Sequence, residues 1–175
     1  MFDPTIYENL KVVIEGELYD RDFDGEIAII NREDIVNLAT MSRSYLVTFT
    51  LKNNSHLFTA TLELNATASD LYHEILETNQ LKGCKLVLFL QGPIKNIAKT
   101  PAIIEDLLAE KWNNRPTIEQ QVYFDWKKNK LDKYYLKIQL TFNRNINEDH
   151  IFDFPEIITL LIDSLKIFEK IEINP

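Results

Sequence analysis

Hydrophobic and polar positions alternate most cleanly in the middle of the chain. "SYLVTFTL" (44–51) and "HLFTATLEL" (56–64) place apolar or β-branched side chains at every second position on either side of the polar "KNNS", which predicts an antiparallel hairpin. "CKLVLFL" (84–90) is apolar on both faces and closes at "QGP", predicting an interior strand. A second hairpin is written in "TIEQQVYFDW" (117–126) and "KYYLKIQLTF" (133–142) around "KKNKLD". Within it Tyr134, Leu136, Ile138, Leu140 and Phe142 alternate as a core-facing set.

Helical spacing fills the gaps. In "NATASDLYHEILETNQ" (65–80), Thr67 and Asp70 form a capping-box pattern, and Leu71, Tyr72, Ile75 and Leu76 make one apolar face. "TPAIIEDLLAEKW" (100–112) offers Thr100 as cap, Pro101 at the first helical position and a stripe at 103, 104, 107 and 108. "DFPEIITLLIDSLKIFEKIE" (153–172) has Asp153 as cap, Glu156 three residues on, and Phe152 and Ile157 placed as a hydrophobic staple. Its apolar residues cover most of the circumference, so it is expected to be deeply packed.

The first forty residues read less simply. Asp3 and Pro4 start a short helix that the pattern carries to about Leu10. "KVVIEGELY" (11–19) then reads as a strand, with Val12, Ile14 and Leu18 on one face and Gly16 interrupting it. "EIAIIN" (26–31) is its expected antiparallel partner, and 32–43 is compatible with helix or strand. The chain is thus expected to be one α+β domain over 1–175: a largely antiparallel sheet built from hairpins, with three main helices packed mostly on one face. Hairpin–helix order occurs at 44–78 and again at 118–170, an order compatible with duplication although the two stretches share no evident sequence identity. The short "WNNRPT" (112–117) is the one internal boundary the composition offers.

Charge sharpens this picture. The net charge is −8, and residues 1–34 hold ten acidic against three basic side chains. The field opposes nucleic acid, whose binding releases counterions onto Lys and Arg. "VYFDWKKNKLDKYYLK" (122–137) mixes Lys127, Lys128, Lys130, Lys133 and Lys137 with aromatics, a pattern that can grip single strands. A lysine-guarded hairpin tip explains it more simply.

Most common chemistry is absent from the pattern. Cys84 is the single cysteine, which excludes an internal disulfide and a Cys-based zinc site, and its place opening an apolar strand suits a buried thiol. Four glycines cannot write a phosphate-cradling loop. His73 opens "HEILE", but Glu77 stands where a zinc-binding helix needs a second histidine, so Asp70, His73, Glu74 and Glu77 read as a solvated face. His56 and His150 fall at a turn and beside a cap. No cofactor is implied. The N-terminal residues lack secretory features and no apolar run approaches the ~20 residues of a bilayer span, so a cytoplasmic, non-membrane protein is expected.

"YDRDFDGEIAIIN" (19–31) is the nearest thing to a chemical signature. Its D-x-D-x-D-G order resembles the first half of an EF-hand calcium loop, but Asn31 stands where the bidentate Glu belongs and no helix is expected before it. A solvated acidic loop from Asp20 to Gly25, pairing Leu18 with Ile27, is preferred to a calcium site, whose affinity would be weak. The function expected first is a non-catalytic protein-binding or regulatory domain, for example a toxin-neutralising inhibitor, presenting Asp20, Asp22, Asp24 and Glu26 to a basic protein partner. The alternative is a small-ligand binder, or an enzyme whose carboxylate-based site is assembled only in the fold. A mostly apolar pocket holding two or more ionisable groups favours the alternative. Oligomeric state is not legible in the pattern.

Overall fold

The structure, a computed structural model, describes residues 5–52, 57–76, 83–127 and 130–173. Its strands are β1 (Ile27–Asn37), β2 (Ser42–Leu51), β3 (Thr59–Ala66), β4 (Lys85–Ile94), β5 (Thr117–Lys127) and β6 (Lys130–Thr141). They pair antiparallel in one sheet, in the order β1-β2-β3-β4-β6-β5. Register follows the alternation. Val47, Leu62, Leu88, Leu140 and Ile118 lie directly across from one another on five successive strands. The neighbouring row, on the opposite face, is Thr48, Thr61, Phe89, Gln139 and Glu119.

The apolar face is covered by α1 (Thr5–Phe23), α3 (Thr100–Lys111) and α4 (Phe154–Ile173), while α2 (Ala68–Ile75) is a short connection between β3 and β4. The core is closed by Tyr7, Leu10, Ile14 and Leu18 of α1, Ile104 and Leu108 of α3, and Phe154, Ile158, Leu161, Ile162, Leu165 and Phe168 of α4. The architecture is the α+β one expected, with three main helices, but α2 is shorter than expected and α1 is one of the three.

That helix is the main correction. Residues 11–19 are not a strand: α1 runs unbroken from Thr5 to Phe23, and β1 pairs with β2 (Ile27 across from Leu51), not with 11–18. Tyr7, Leu10, Ile14 and Leu18 are fully buried at spacings of three, four and four, whereas Val12 is 61% exposed. The β-branched Val12, Val13 and Ile14 made a helical stripe look like alternation. The ambiguous stretch 32–43 resolves as strand to Asn37, then a turn in which the Asn37 side chain accepts from the amides of Ala39 and Thr40.

Smaller corrections concern helix ends. The Thr67–Asp70 capping box forms, but of the expected α2 face only Leu71 is buried, and Tyr72, Ile75 and Leu76 are exposed. Thr100 is the first residue of α3 rather than its cap, and its hydroxyl donates to Glu172 at 2.7 Å. Ile104 and Leu108 are buried; Ile103 and Leu107 are not. α4 is entered from a 3₁₀ turn (Glu148–Asp153) capped by Asn147, with His150 completing the box. No staple forms, because Phe152 is 91% exposed and Phe154 takes the buried position. β4 continues through Gly92 and Pro93 rather than closing at "QGP". The cap at Asp3 and Pro4, and the readings of His56, Glu77 and the side chains of Lys127, Lys128 and Lys130, lie outside the described residues. No helix among the described residues is long and apolar enough to cross a membrane.

Candidate functional site

The acidic segment is the end of α1. The Gly25 amide donates to the Asp22 carbonyl and the Glu26 amide to the Arg21 carbonyl, both at 3.0 Å, with Gly25 in the left-handed region at φ +79°. This is the double hydrogen bond of a Schellman helix stop, and it is why the glycine stands there. The expected loop from Asp20 to Gly25, with Leu18 paired to Ile27, therefore does not exist. Asp20 and Asp22 occupy the last turns of a helix, where residues two apart point to different sides and do not converge on one cation. Among the described residues no three acidic, histidine or cysteine side chains are grouped for a metal.

The four predicted contact residues have different situations. Glu26 is committed to the fold: Arg21 Nη1 lies 2.9 Å from one carboxylate oxygen and Lys166 Nζ 3.1 Å from the other. Burial works to raise this carboxyl, and the two cations outweigh it and hold it below the ordinary value. Asp20 and Asp24 are exposed and Asp22 half-buried, with Lys52 Nζ donating to the Asp22 carbonyl. Much of the remaining N-terminal acidity is neutralised internally. Glu8 and Asp34 share Lys11 and Arg43, and Glu15 meets Arg32.

The other sequence candidates are explained by packing. Cys84 is 2% exposed and burial pushes its thiol up to about 12, so it is an inert core residue. On the helix that carries His73, the Asp70 carboxylate accepts from Asn145 and Glu74 accepts the Ile6 amide. In the 122–137 hairpin the aromatics pair across the strands: Tyr123 stacks on Tyr135 at 5.4 Å, and Phe124 meets Tyr134 edge-on at 5.8 Å. Lys137 sits 4.5 Å above the Phe89 ring. Those two pairs satisfy one another's faces, while Trp126 on the same hairpin is 76% exposed.

What pattern reading missed is a cavity of about 460 Å³ between the end of α3, the end of β6 and the start of α4. Leu86, Trp112, Phe142, Ile146, Ile157 and Leu160 make its apolar walls. Trp112 and Phe142 meet edge-on at 5.9 Å, and the Trp112 indole N–H donates to the buried Ser164 hydroxyl at 2.9 Å. One wall is held by a close backbone approach. Cys84 and Ile146 exchange amide hydrogen bonds at 2.7 and 2.8 Å, and a Cβ on neighbouring Gly83 would stand 2.4 Å from the Ile146 carbonyl oxygen.

The mouth is polar and charged. Arg115 and Arg144 reach it from two turns, and Asp153 and Glu156 from the first turn of α4 and the residue before it, with Asn143 beside them. Arg115 lies 3.9 Å from Glu156 and Arg144 3.9 Å from Asp153, all four side chains more than half exposed. Pairs this long and this wet contribute less than about 1 kcal/mol. Arg115 is brought there by Asn113 and Asn114, both left-handed (φ 51° and 53°), which end α3 in a second Schellman stop: Asn114 donates to the Ala109 carbonyl and Asn113 to the Glu110 carbonyl. The signal in the chain is a repeated wording, "WNNR" (112–115) and "FNRN" (142–145): an aromatic that packs, then asparagine turns carrying an arginine.

A second hollow of about 270 Å³ lies between the β1–β2 turn and α2, lined by Met41, Ala68, Leu71, Tyr72 and Ile75 and free of charged groups. Comparison of the chain with protein-family models, with curated proteins and with solved structures finds no match in any of the three.

Proposed function

We propose that this protein binds a small molecule in the cavity between α3, β6 and α4. The observation that carries the reading is the combination of an apolar, aromatic floor with four ionisable groups at one mouth. A volume of about 460 Å³ lies within the range of small-ligand sites, roughly 300–1,000 Å³, which are mostly apolar with a few placed polar groups. The cavity supports ligand binding over the protein-binding reading, because Glu26, one of the four carboxylates of that reading, is spent on Arg21 and Lys166.

The test uses the indole N–H of Trp112 as a reporter in an amide correlation NMR spectrum. The chain has two tryptophans, so Trp126→Phe assigns the second signal. Titration with neutral 4-phenylbutan-1-ol should move the Trp112 signal saturably. Ile157→Trp, which fills the cavity, should abolish that movement while the rest of the spectrum stays folded. A Trp112 signal indifferent to the alcohol and to its charged analogues would remove the reading.

A further inference from the structure

We infer that the ligand of this cavity is an amphipathic monocarboxylate, its apolar body on Phe142, Ile157 and Leu160 and its head group between Arg115 and Arg144. The inference rests on the proposed ligand-binding reading and adds the sign and class of the head.

The four charges at the mouth are not equivalent. Among the described residues neither the Arg115 nor the Arg144 guanidinium donates a hydrogen bond, and each has only one carboxylate at 3.9 Å, beyond hydrogen-bond range. Two planar five-donor groups therefore face the mouth with their forks unfilled. The carboxylates differ. Glu156 is in the first turn of α4 and Asp153 immediately precedes it, where the positive end of the dipole of a 20-residue helix favours negative charge without help from arginine. An incoming anion can take the guanidiniums and leave Asp153 and Glu156 electrostatically satisfied. An incoming cation would gain little from carboxylates already served by the helix.

The residues that occupy the arginines also identify the head. Carboxylate is what the protein places opposite each guanidinium, too distant for the two parallel hydrogen bonds that such a pair makes at close range. A mobile ligand carboxylate can approach to that range from the cavity side, which Asp153 and Glu156 at the start of α4 do not. Opening the two existing pairs costs little, since both are exposed and long. A single negative charge suits the site because Asp153 and Glu156 still repel a second one. The body is set by the accessible apolar wall: half-buried Phe142, Ile157 and Leu160 accept an aryl or short alkyl group, with the buried Trp112 ring packed edge-on against Phe142 behind them.

The experiment compares three probes of one shape, 4-phenylbutyrate, 4-phenylbutan-1-ol and 4-phenylbutylamine, each titrated against the Trp112 indole signal at low salt. The butyrate should bind at least about fivefold more tightly than the alcohol, the gain expected of one charge-assisted contact at a wet mouth, and the amine no better than the alcohol. Arg115→Gln with Arg144→Gln should bring the butyrate to the level of the alcohol and leave the alcohol unchanged. Asp153→Asn with Glu156→Gln should tighten the butyrate by about threefold or more, because it removes the competing carboxylates. Equal affinities for butyrate and alcohol, or preference for the amine, overturn the inference while leaving ligand binding intact. Silence from all three probes overturns the ligand-binding reading itself. All four substituted side chains are more than half exposed, so their variants are expected to fold.

Discussion

The indole N–H of Trp112 donates to the Ser164 hydroxyl at 2.9 Å, and that hydroxyl donates onward to the Leu160 carbonyl at 2.7 Å. Trp112 is 1% exposed and Ser164 fully buried, so water cannot replace the partner. Ser164→Ala leaves the indole N–H unsatisfied and should cost about 1–3 kcal/mol, read as a lower urea midpoint with an unchanged slope. It should also shift the Trp112 indole resonance, because the ring that floors the cavity loses its anchor. A midpoint within error of the parent would show that this bond contributes nothing to the fold.

Two glycines in the acidic segment should respond with opposite signs. Gly16 lies mid-helix in α1, exposed, and a Cβ there meets nothing within 4 Å, so Gly16→Ala should stabilise by about 1 kcal/mol. Gly25 is at the helix stop with φ +79°, and Gly25→Ala should destabilise by about 1 kcal/mol although there is room for the methyl. If 11–19 were a strand, Gly16→Ala would gain no helix propensity. Thermal midpoints of the two variants separate the cases, and a destabilised Gly16→Ala protein would argue against α1.

The legible parts of the fold are those where local pattern and burial agree. β2, β3 and β6 alternate cleanly because one face of each meets the helices and the other meets solvent. The 11–19 stretch resembles a strand because β-branched Val12, Val13 and Ile14 stand together, and the choice between periods is made by burial: Tyr7, Leu10, Ile14 and Leu18 share one core with the sheet, and Tyr45 of β2 donates to Glu15 of α1. The pattern places Gly25 at the end of an acidic loop, yet its φ > 0 conformation equally serves a helix stop. The cavity was invisible for a different reason. Trp112, Phe142, Arg115, Arg144 and Asp153 come from three separate stretches, and only the packing of α3 against α4 brings the first of these beside the last. The Asn113–Asn114 turn that places Arg115 is a local feature, and it is the portion of the site that the sequence does carry.

The far end of α4 is tied down by one carboxylate. Glu172, 5% exposed, accepts the Thr100 hydroxyl at 2.7 Å with one oxygen and the Lys95 amide at 2.9 Å with the other. Glu172→Leu strands two donors at once and should cost about 2–4 kcal/mol. Thr100→Val removes one donor and should cost less. Native-state hydrogen exchange is the sharper readout, since the Lys95 amide should lose protection in Glu172→Leu and keep it in Thr100→Val. Equal loss in both variants would mean that the two bonds do not act separately.

Stability should form a plateau with limbs at both ends of the pH scale, and the charged seam between α1 and the sheet should shape both. On the acid side, burial works to raise the Asp34 carboxyl, but hydrogen bonds and charge from Lys11 and Arg43 hold it below its usual 3.8. Glu26 and Asp163 are held low against burial in the same way, by Arg21 with Lys166 and by Lys111 with Lys166. A carboxyl depressed in the folded state stabilises fully above its unfolded value, and that contribution fades as pH falls through the folded one. Stability should therefore begin to drop near pH ~4 and keep dropping below it. On the alkaline side, burial first and then Asp34 raise Tyr7, and burial first and then Glu15 raise Tyr45, each well above the usual 10.0. Raised groups contribute below their unfolded value and lose that contribution as pH rises past it, so a second decline should start near pH ~10. Asp34→Asn separates the seam from general charge repulsion. It deletes a depressed carboxyl and one of the charges that raise Tyr7, so it should lower the plateau by about 1–2 kcal/mol and flatten both limbs. Urea unfolding at intervals from pH 3 to pH 11 measures all three quantities. A variant whose curve is displaced downward in parallel, with both slopes intact, would show that Asp34 contributes packing alone and that the pH dependence arises elsewhere.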